Sequence, residues 1–430
     1  MRKIVTFTIA AILLLSLGTR ANAQESSAFT YFSPYSLFGL GVLETDGSEN
    51  SLAMGGVGIA DRNNMIINLH NPAAVTAREE KSFMIDVGLS QKNIYYKDSK
   101  ASGVNNTFNL HHLAISFPIY KSSAFKIGIK QYSSTGYSFV TNETNDELIA
   151  TLGDIKYTQD GKGGIYQAFF GGGVTFWKRL SIGVDGQFYF GKTDRYSGVY
   201  FTTSSVYRTI LRGWKFVPRG FGAKFGIQYE QPLAKDMSIT LGGTFKIANS
   251  LKGENTEYVY GTATSATDTL MSQVTTAAYN TPFEWGAGIS VRKNSVWSVG
   301  VDFSAGDWTS SKFPATPGIN FATARAMSIN AGFEYTPNRY DIRYYMKRVT
   351  YRGGVYHTKS YMSLNGRQIN STGFTVGMSF PVFNRGTSLS FGLDFGQMGT
   401  LSDNLVRERY FKINVGLNLF DIWFQKSLYN

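Results

Sequence analysis

Apolar and polar residues alternate along much of the chain after Ser82, most plainly near its end. In Arg409–Asp421, Phe411, Ile413, Val415, Leu417 and Leu419 fall on one face, and Lys412, Asn414, Gly416 and Asn418 on the other. Met327–Tyr335 and Phe283–Arg292 read the same way, with Ile329 and Phe333, then Trp285 and Ile289, on their apolar faces. Successive strand residues point to opposite sides of a sheet, so each segment predicts a strand with one greasy and one polar face. Such segments recur near 82–97, 107–118, 123–139, 163–177, 180–197, 215–230, 237–250, 283–292, 296–307, 325–336, 349–360, 373–381, 387–396 and 409–421. Fourteen is an even count, as in single-chain bacterial barrels.

The links carry separate information. Those after the second, fourth, sixth, eighth and twelfth segments are short, as in Ile119–Ser122 and Lys178–Arg179, while odd-numbered links are mostly long and polar, as in Gly198–Trp214 and Leu251–Pro282. Short turns on one rim and long loops on the other are the habit of an outer-membrane barrel, the short turns being periplasmic. The expectation is an all-β fold: a 14-stranded antiparallel transmembrane β-barrel over residues 82–421, with both ends of the chain on the periplasmic side. Aromatics near segment ends (Trp177, Tyr196, Trp214, Trp297, Trp308, Tyr335, Tyr410, Phe420) are expected to form interfacial girdles.

Leu52–Ala77 does not alternate. It opens on Gly55-Gly56-Val57-Gly58 and closes on Asn71-Pro72, and it predicts a plug inside the barrel, entering from the periplasmic rim. Upstream, Arg2 and Lys3 precede an apolar run, and Ala21-Asn22-Ala23 offers a cleavage signal. This reads as a secretory signal peptide over 1–23. A plug segment over 24–81 and a periplasmic tail over 422–430 complete the division. The chain has no cysteine, so an exported form needs stabilisation other than disulfides.

Composition adds 46 Gly, 32 Phe and 26 Tyr, and a formal charge of +12 to which Arg2, Lys3 and Arg20 of the leader contribute. Export makes nucleic acid an unsuitable partner; membrane lipid and lipopolysaccharide headgroups suit the basic surface. Parity assigns Asp86, Asp185, Glu284, Asp302, Glu334 and Asp394, with Lys126, Lys130, Lys224, Lys246, Arg292, Arg352 and Lys412, to the lumen. Both signs are represented, so these charges need pairing or water, and no single-sign ring of an ion filter is evident.

The third segment breaks its pattern. After Phe125, Ile127 and Ile129, its outward face continues as Gln131, Ser133 and Thr135, and Gly136 follows. Either a bulge resets the register or the wall opens there. Gly171-Gly172-Gly173 in the neighbouring strand leaves a bare patch that could admit a plug or a ligand closely.

Ala53-Met54-Gly55-Gly56-Val57-Gly58 followed by Asn71-Pro72-Ala73-Ala74 resembles the hatch of FadL-type outer-membrane transporters. Ser33–Gly41 and the end of the chain, with Trp423-Phe424, are similar to a Bacteroidota branch of that superfamily with PorV-like relatives. The resemblance implies passive entry of hydrophobic, fatty-acid-like small molecules. It places hatch or ligand contacts at Met54, Gly55, Gly56, Gly58, His70, Asn71 and Pro72, and a lateral exit at Gln131, Ser133, Thr135, Gly136 and Gly171–Gly173. The PorV-like relatives imply the alternative, an adaptor barrel that binds envelope proteins in a secretion or assembly complex. The charged lumen departs from a hydrophobic conduit.

Enzymatic and cofactor chemistry is not expected. His70, His111, His112 and His357 lack metal-ligand spacing, and Gly55–Gly58 lacks the Lys-Ser/Thr of a phosphate loop. His112 and Ser116 share a strand face, but neither an acid nor an oxyanion element accompanies them. Asp302, Asp307, Glu334 and Asp394 lack the spacing of a calcium loop.

Overall fold

A computed structural model describes residues 31–99, 101–120, 122–201, 207–263, 266–313, 319–382 and 386–422. The leader, the Trp423-Phe424 pair and nearly all of the tail lie outside the described residues.

Fourteen antiparallel strands close into a barrel: β1 (Ser82–Lys97), β2 (Ser102–Tyr120), β3 (Ser123–Asn142), β4 (Ile155–Phe176), β5 (Leu180–Phe201), β6 (Thr209–Ala234), β7 (Met237–Lys246), β8 (Glu284–Lys293), β9 (Trp297–Asp307), β10 (Arg325–Tyr335), β11 (Thr350–Leu364), β12 (Arg367–Pro381), β13 (Ser388–Gly399) and β14 (Arg407–Ile422). Closure is made by β14 against β1, from Arg407–Lys97 to Ile422–Ser82. The apolar faces point outward and are accessible, as at Ile289, Ile329, Phe333, Phe374 and Val376. A closed sheet leaves no backbone edge in lipid, which is why alternation alone can specify a membrane wall.

Several strands outrun their alternating cores on the long-loop side. β6 has 26 residues, whereas a tilted strand crosses a bilayer in about 9–11. The long link expected over 251–282 is itself a hairpin, Asn249–Ala263 paired with Ala266–Thr281. Its first strand continues the sheet beside the upper part of β6, Thr209–Arg219. The link between β11 and β12 is a tight turn at Asn365-Gly366, with φ of 51° and 79°, rather than a long loop. Asn-Gly is the residue pair that this left-handed hairpin geometry favours.

The expected girdle divides. Trp177 is 84% exposed and Tyr335 faces outward, paired with the half-exposed Trp297. Trp308, Phe420, Trp214 and Tyr410 instead turn inward. Trp308 packs at a tilt against Tyr361 with ring centroids 4.7 Å apart, Phe420 packs with Ile67 and Leu69, and Trp214 lies under the Arg195 guanidinium. Tyr410 and Phe420 share strand parity with Lys412 and Asn418, which overrides their place at a strand end. Tyr196 is half-buried.

Candidate functional site

Residues 31–76 lie against the inward faces of the wall. The described path begins high on the wall, not at the short-turn rim: Ser33 donates its N–H to the carbonyl of Gly136 in the outer half of β3. It then descends, so that Pro72–Thr76 rests near the short turns, where Gly183 and Gly173 face it. The expectation of entry from the periplasmic rim fails for these residues, because pairing with β3 holds their start high.

The glycine-rich part is held by its backbone. Gly58 and Ile59 donate N–H bonds of 2.6 and 2.7 Å to one Asp302 oxygen, and Gly55 donates to Thr375 Oγ1 at 2.8 Å. Gly55 has φ of +71°, a left-handed conformation that a side chain would strain. A Cβ on Gly332 or Gly354 would stand 2.2 Å from the Met54 carbonyl group, so wall glycines let the segment approach. Gly56 lies over Asn330, whose amide donates to the Gly56 carbonyl at 3.3 Å.

The Asn71-Pro72 turn is built from side-chain bonds. Asn71 Oδ1 accepts from Ala73 N, capping the short Pro72–Thr76 helix. Its Nδ2 donates to the Ile59 carbonyl at 2.8 Å. Proline at the first helical position lacks only an N–H that would have no partner there. Pro72 backbone atoms approach Gly183, where a Cβ would meet them at 2.4 Å. His70 is bonded within the segment, Nε2 to Ser51 Oγ at 2.7 Å. Burial pushes its imidazole down to about 3, with Lys224, Lys130 and Lys126 adding to the effect against Asp46, so it is neutral near pH 7.

Many wall charges are paired, several of them with the segment itself. Lys126 meets Asp185 at 3.0 Å and both are buried. Asp46 bridges Lys130 and Lys224, Asp61 binds Arg292, and Glu44 faces Lys412 at 4.0 Å. Glu334 receives Arg352 at 2.8 Å, and Glu284 pairs with Lys246 at 3.0 Å. The four acids without calcium-loop spacing have separate partners: Asp302 has the segment N–H groups, Asp307 has Arg325, Glu334 has Arg352, and Asp394 accepts from Tyr356.

Above this seal is a cavity of about 390 Å³. Lys92, Lys224, Lys246, Lys412, Asp302 and Asp394 are among its walls. Outward of it, Tyr35, Phe38 and Leu40 pack with Trp308, Tyr361 and Leu364 into an apolar core. The cavity has a mixed lining, since Leu52 also borders it, as do Trp308, Tyr361 and Met398 of this apolar core.

At the third strand the structure shows a bulge, together with an end to the β2–β3 ladder that the inner segment covers. The β3–β4 register shifts between Gln131 and Ser133, which makes Tyr132 a bulge residue. Among the described residues the β2–β3 ladder also ends at His112–Lys130. Beyond it, Val42 and Leu43 pair with Ser134 and Ser133, replacing the missing neighbour. Gln131 donates to Ser134 Oγ at 2.6 Å, and Lys130–Tyr137 are all buried. The polar residues Gln131, Ser133 and Thr135 are therefore covered rather than presented to lipid. Gly171–Gly173 do not join this site. Their register partners are Lys126, Phe125 and Ala124 near the short-turn rim, while Gly163 and Gly164 stand opposite Thr135 and Ser134. Gly173 instead faces Val75 and Pro72.

A second bulge escaped the alternation. In β1–β2, Gly88 faces His112 and Leu89 faces Leu110, leaving His111 extra. Both histidines are buried in the lumen, although neighbours on a regular strand would oppose each other.

No curated protein matches the chain. Among solved structures, the toluene transporter TbuX of Ralstonia pickettii is similar at 17% identity and a TM-score of 0.57, over 87% of this chain and 98% of that one. A Pseudomonas aeruginosa FadL homologue shares 12% identity at a TM-score of 0.55, over 89% and 99% of the two chains. The monoaromatic hydrocarbon channel CymD shares 13% at 0.55, over 88% and 98%. These likenesses show the fold alone, a barrel of the same architecture as those three proteins. The family model described as BamG matches residues 1–430, and the chain belongs to the BamG family.

Proposed function

We propose that this protein is an integral outer-membrane barrel that works through its surface, as an adaptor binding partner proteins in an envelope assembly. The observation that carries the reading is the inner segment bonded around the wall, with charged groups such as Lys92, Lys224, Asp302 and Asp394 interrupting the apolar residues of the lumen cavity. A conduit for greasy molecules needs apolar walls along its path. The surface available to partners includes the outer hairpin, where Leu270, Met271 and Val274 are exposed. The likeness of Ser33–Gly41 to the PorV-like branch accords with this reading. Photo-crosslinkers at Leu270 and Val274, with one at lipid-facing Ile289 as control, test it in native membranes. A discrete protein adduct specific to the hairpin is expected; adducts to lipid alone at all three positions would overturn it.

A second reading, passive entry of hydrophobic small molecules with lateral exit, is favoured by the end of the β2–β3 ladder at Lys130. The likeness in fold to a toluene transporter and a monoaromatic hydrocarbon channel supports it. Liposomes containing the purified protein should then take up labelled fatty acid or toluene faster than empty ones, and equal rates would rule it out.

A further inference from the structure

We propose that Glu49, His111 and His112 form a binding site for a divalent transition cation of the zinc class, which latches the inner segment to the wall beside the break in the β2–β3 ladder. One ligand atom from each of the three residues lies within 4.8 Å of the others. Glu49 begins a short helix of the inner segment, Glu49–Leu52, and the histidines stand at the bulge of β2. The site therefore joins two parts of the chain far apart in sequence.

Four observations point to a cation. Both Glu49 carboxylate oxygens are buried with no hydrogen-bond partner among the described residues; an isolated buried carboxylate is costly unless a cation or proton meets it. The Nδ1 atoms of His111 and His112 face each other at 3.1 Å, close to the separation of two ligands about 2.0–2.1 Å from one tetrahedral metal. Glu49 Oε1 and His112 Nδ1 converge above Gly88, where a Cβ would stand 2.2 and 2.6 Å from them, so the absent side chain leaves the space. Asp86 lies 3.5 Å from His112 Nε2. A carboxylate behind the distal nitrogen is the arrangement that fixes the tautomer of a metal-binding imidazole and presents the other nitrogen.

The donor set selects the ion. Two imidazoles and one carboxylate suit zinc and its neighbours, whereas calcium and magnesium prefer shells of oxygen. Three protein ligands leave a position for water. The break in the β2–β3 ladder begins at the level of His112, so a cation here would tie the helix of the inner segment to the lip of that gap.

The test uses the full chain purified in detergent, dialysed against EDTA and titrated with zinc chloride by calorimetry, with folding verified by heat-dependent gel mobility. One zinc per chain is expected, with cobalt(II) giving the absorption of a tetrahedral site. Glu49→Gln and the double change His111→Gln/His112→Gln should abolish the stoichiometric binding. Asp86→Asn should weaken it about 10- to 100-fold, as loss of such an outer partner does. The thermal midpoint of the native chain should rise with zinc, and that of the double variant should not. Absence of stoichiometric zinc in the folded native chain, or native affinity in the folded double variant, overturns the site. Displacement of zinc by equimolar calcium overturns the ion class, and an unchanged midpoint with zinc bound overturns the latch.

Discussion

The inner segment meets the wall in two different ways. Near the short-turn rim it rests on a finished wall: Pro72–Thr76 sits on Gly183 and Gly173, and buried pairs such as Lys126–Asp185 stand beside it. In the outer half it takes the place of wall, with Val42–Leu43 pairing along β3 where β2 has left. The first contact depends on close approach and charge compensation, the second on main-chain bonds to an otherwise open edge. An open edge invites a partner strand, and here the chain supplies its own. Only the second contact lies beside the end of the β2–β3 ladder, so the two regions can be separated by mutation.

The largest effect should come from the lower contact. Asp185→Ala leaves the Lys126 ammonium buried without its carboxylate and should cost about 3–5 kcal/mol, as breaking a buried pair does; denaturant titration of the refolded barrel measures it. Gly183→Val puts atoms within 2.4 Å of the Pro72 carbonyl carbon. It should cost about 1–3 kcal/mol by overpacking, and increased protease sensitivity of residues 31–76 in the folded barrel would locate the damage in the lower contact. Gly366→Ala, in the outer hairpin turn and far from both contacts, should cost about 1 kcal/mol because its φ of +79° disfavours a side chain. A barrel equally damaged by Gly366→Ala and Gly183→Val would erase the distinction drawn for the lower seal.

The upper contact is tested by a change that should barely alter stability. Leu43 and Ser133 are register partners, and the chain has no cysteine. Paired residues on antiparallel strands lie within the range a disulfide bridges. Leu43→Cys/Ser133→Cys should therefore oxidise to an intramolecular bridge, seen as a mobility change on a non-reducing gel. Under the adaptor reading, fatty-acid flux into liposomes stays at the background level in both redox states. A flux present when reduced and lost when oxidised would instead assign the upper contact to a gate.

The lipid-facing wall was readable from the sequence because alternation is local: Ile329 and Phe333 must share a face once Met327–Tyr335 is extended. The same parity put Asp302, Glu334 and Lys126 inside, and the need to compensate buried charge anticipated their partners in kind. It could not name Asp46 or Asp61, since those partners come from a segment with no periodicity. The Asn365-Gly366 pair is the local signal of the tight turn that replaces a long link there. Aromatic position at strand ends misassigned Trp308 and Phe420, whose parity was the better guide.

What the sequence by itself determined is the fourteen strands of the barrel, their order and the face that side chains take along the regular segments, because these follow from a two-residue period and the closure that lipid demands. Tertiary structure alone decided the path of the inner segment, the end of the β2–β3 ladder and the inward turn of both His111 and His112. Each depends on a bulge or on pairing between residues distant in sequence; the bulge at Tyr132 shows as a polar run in the alternation, whereas the extra residue at His111 reverses parity without such a mark.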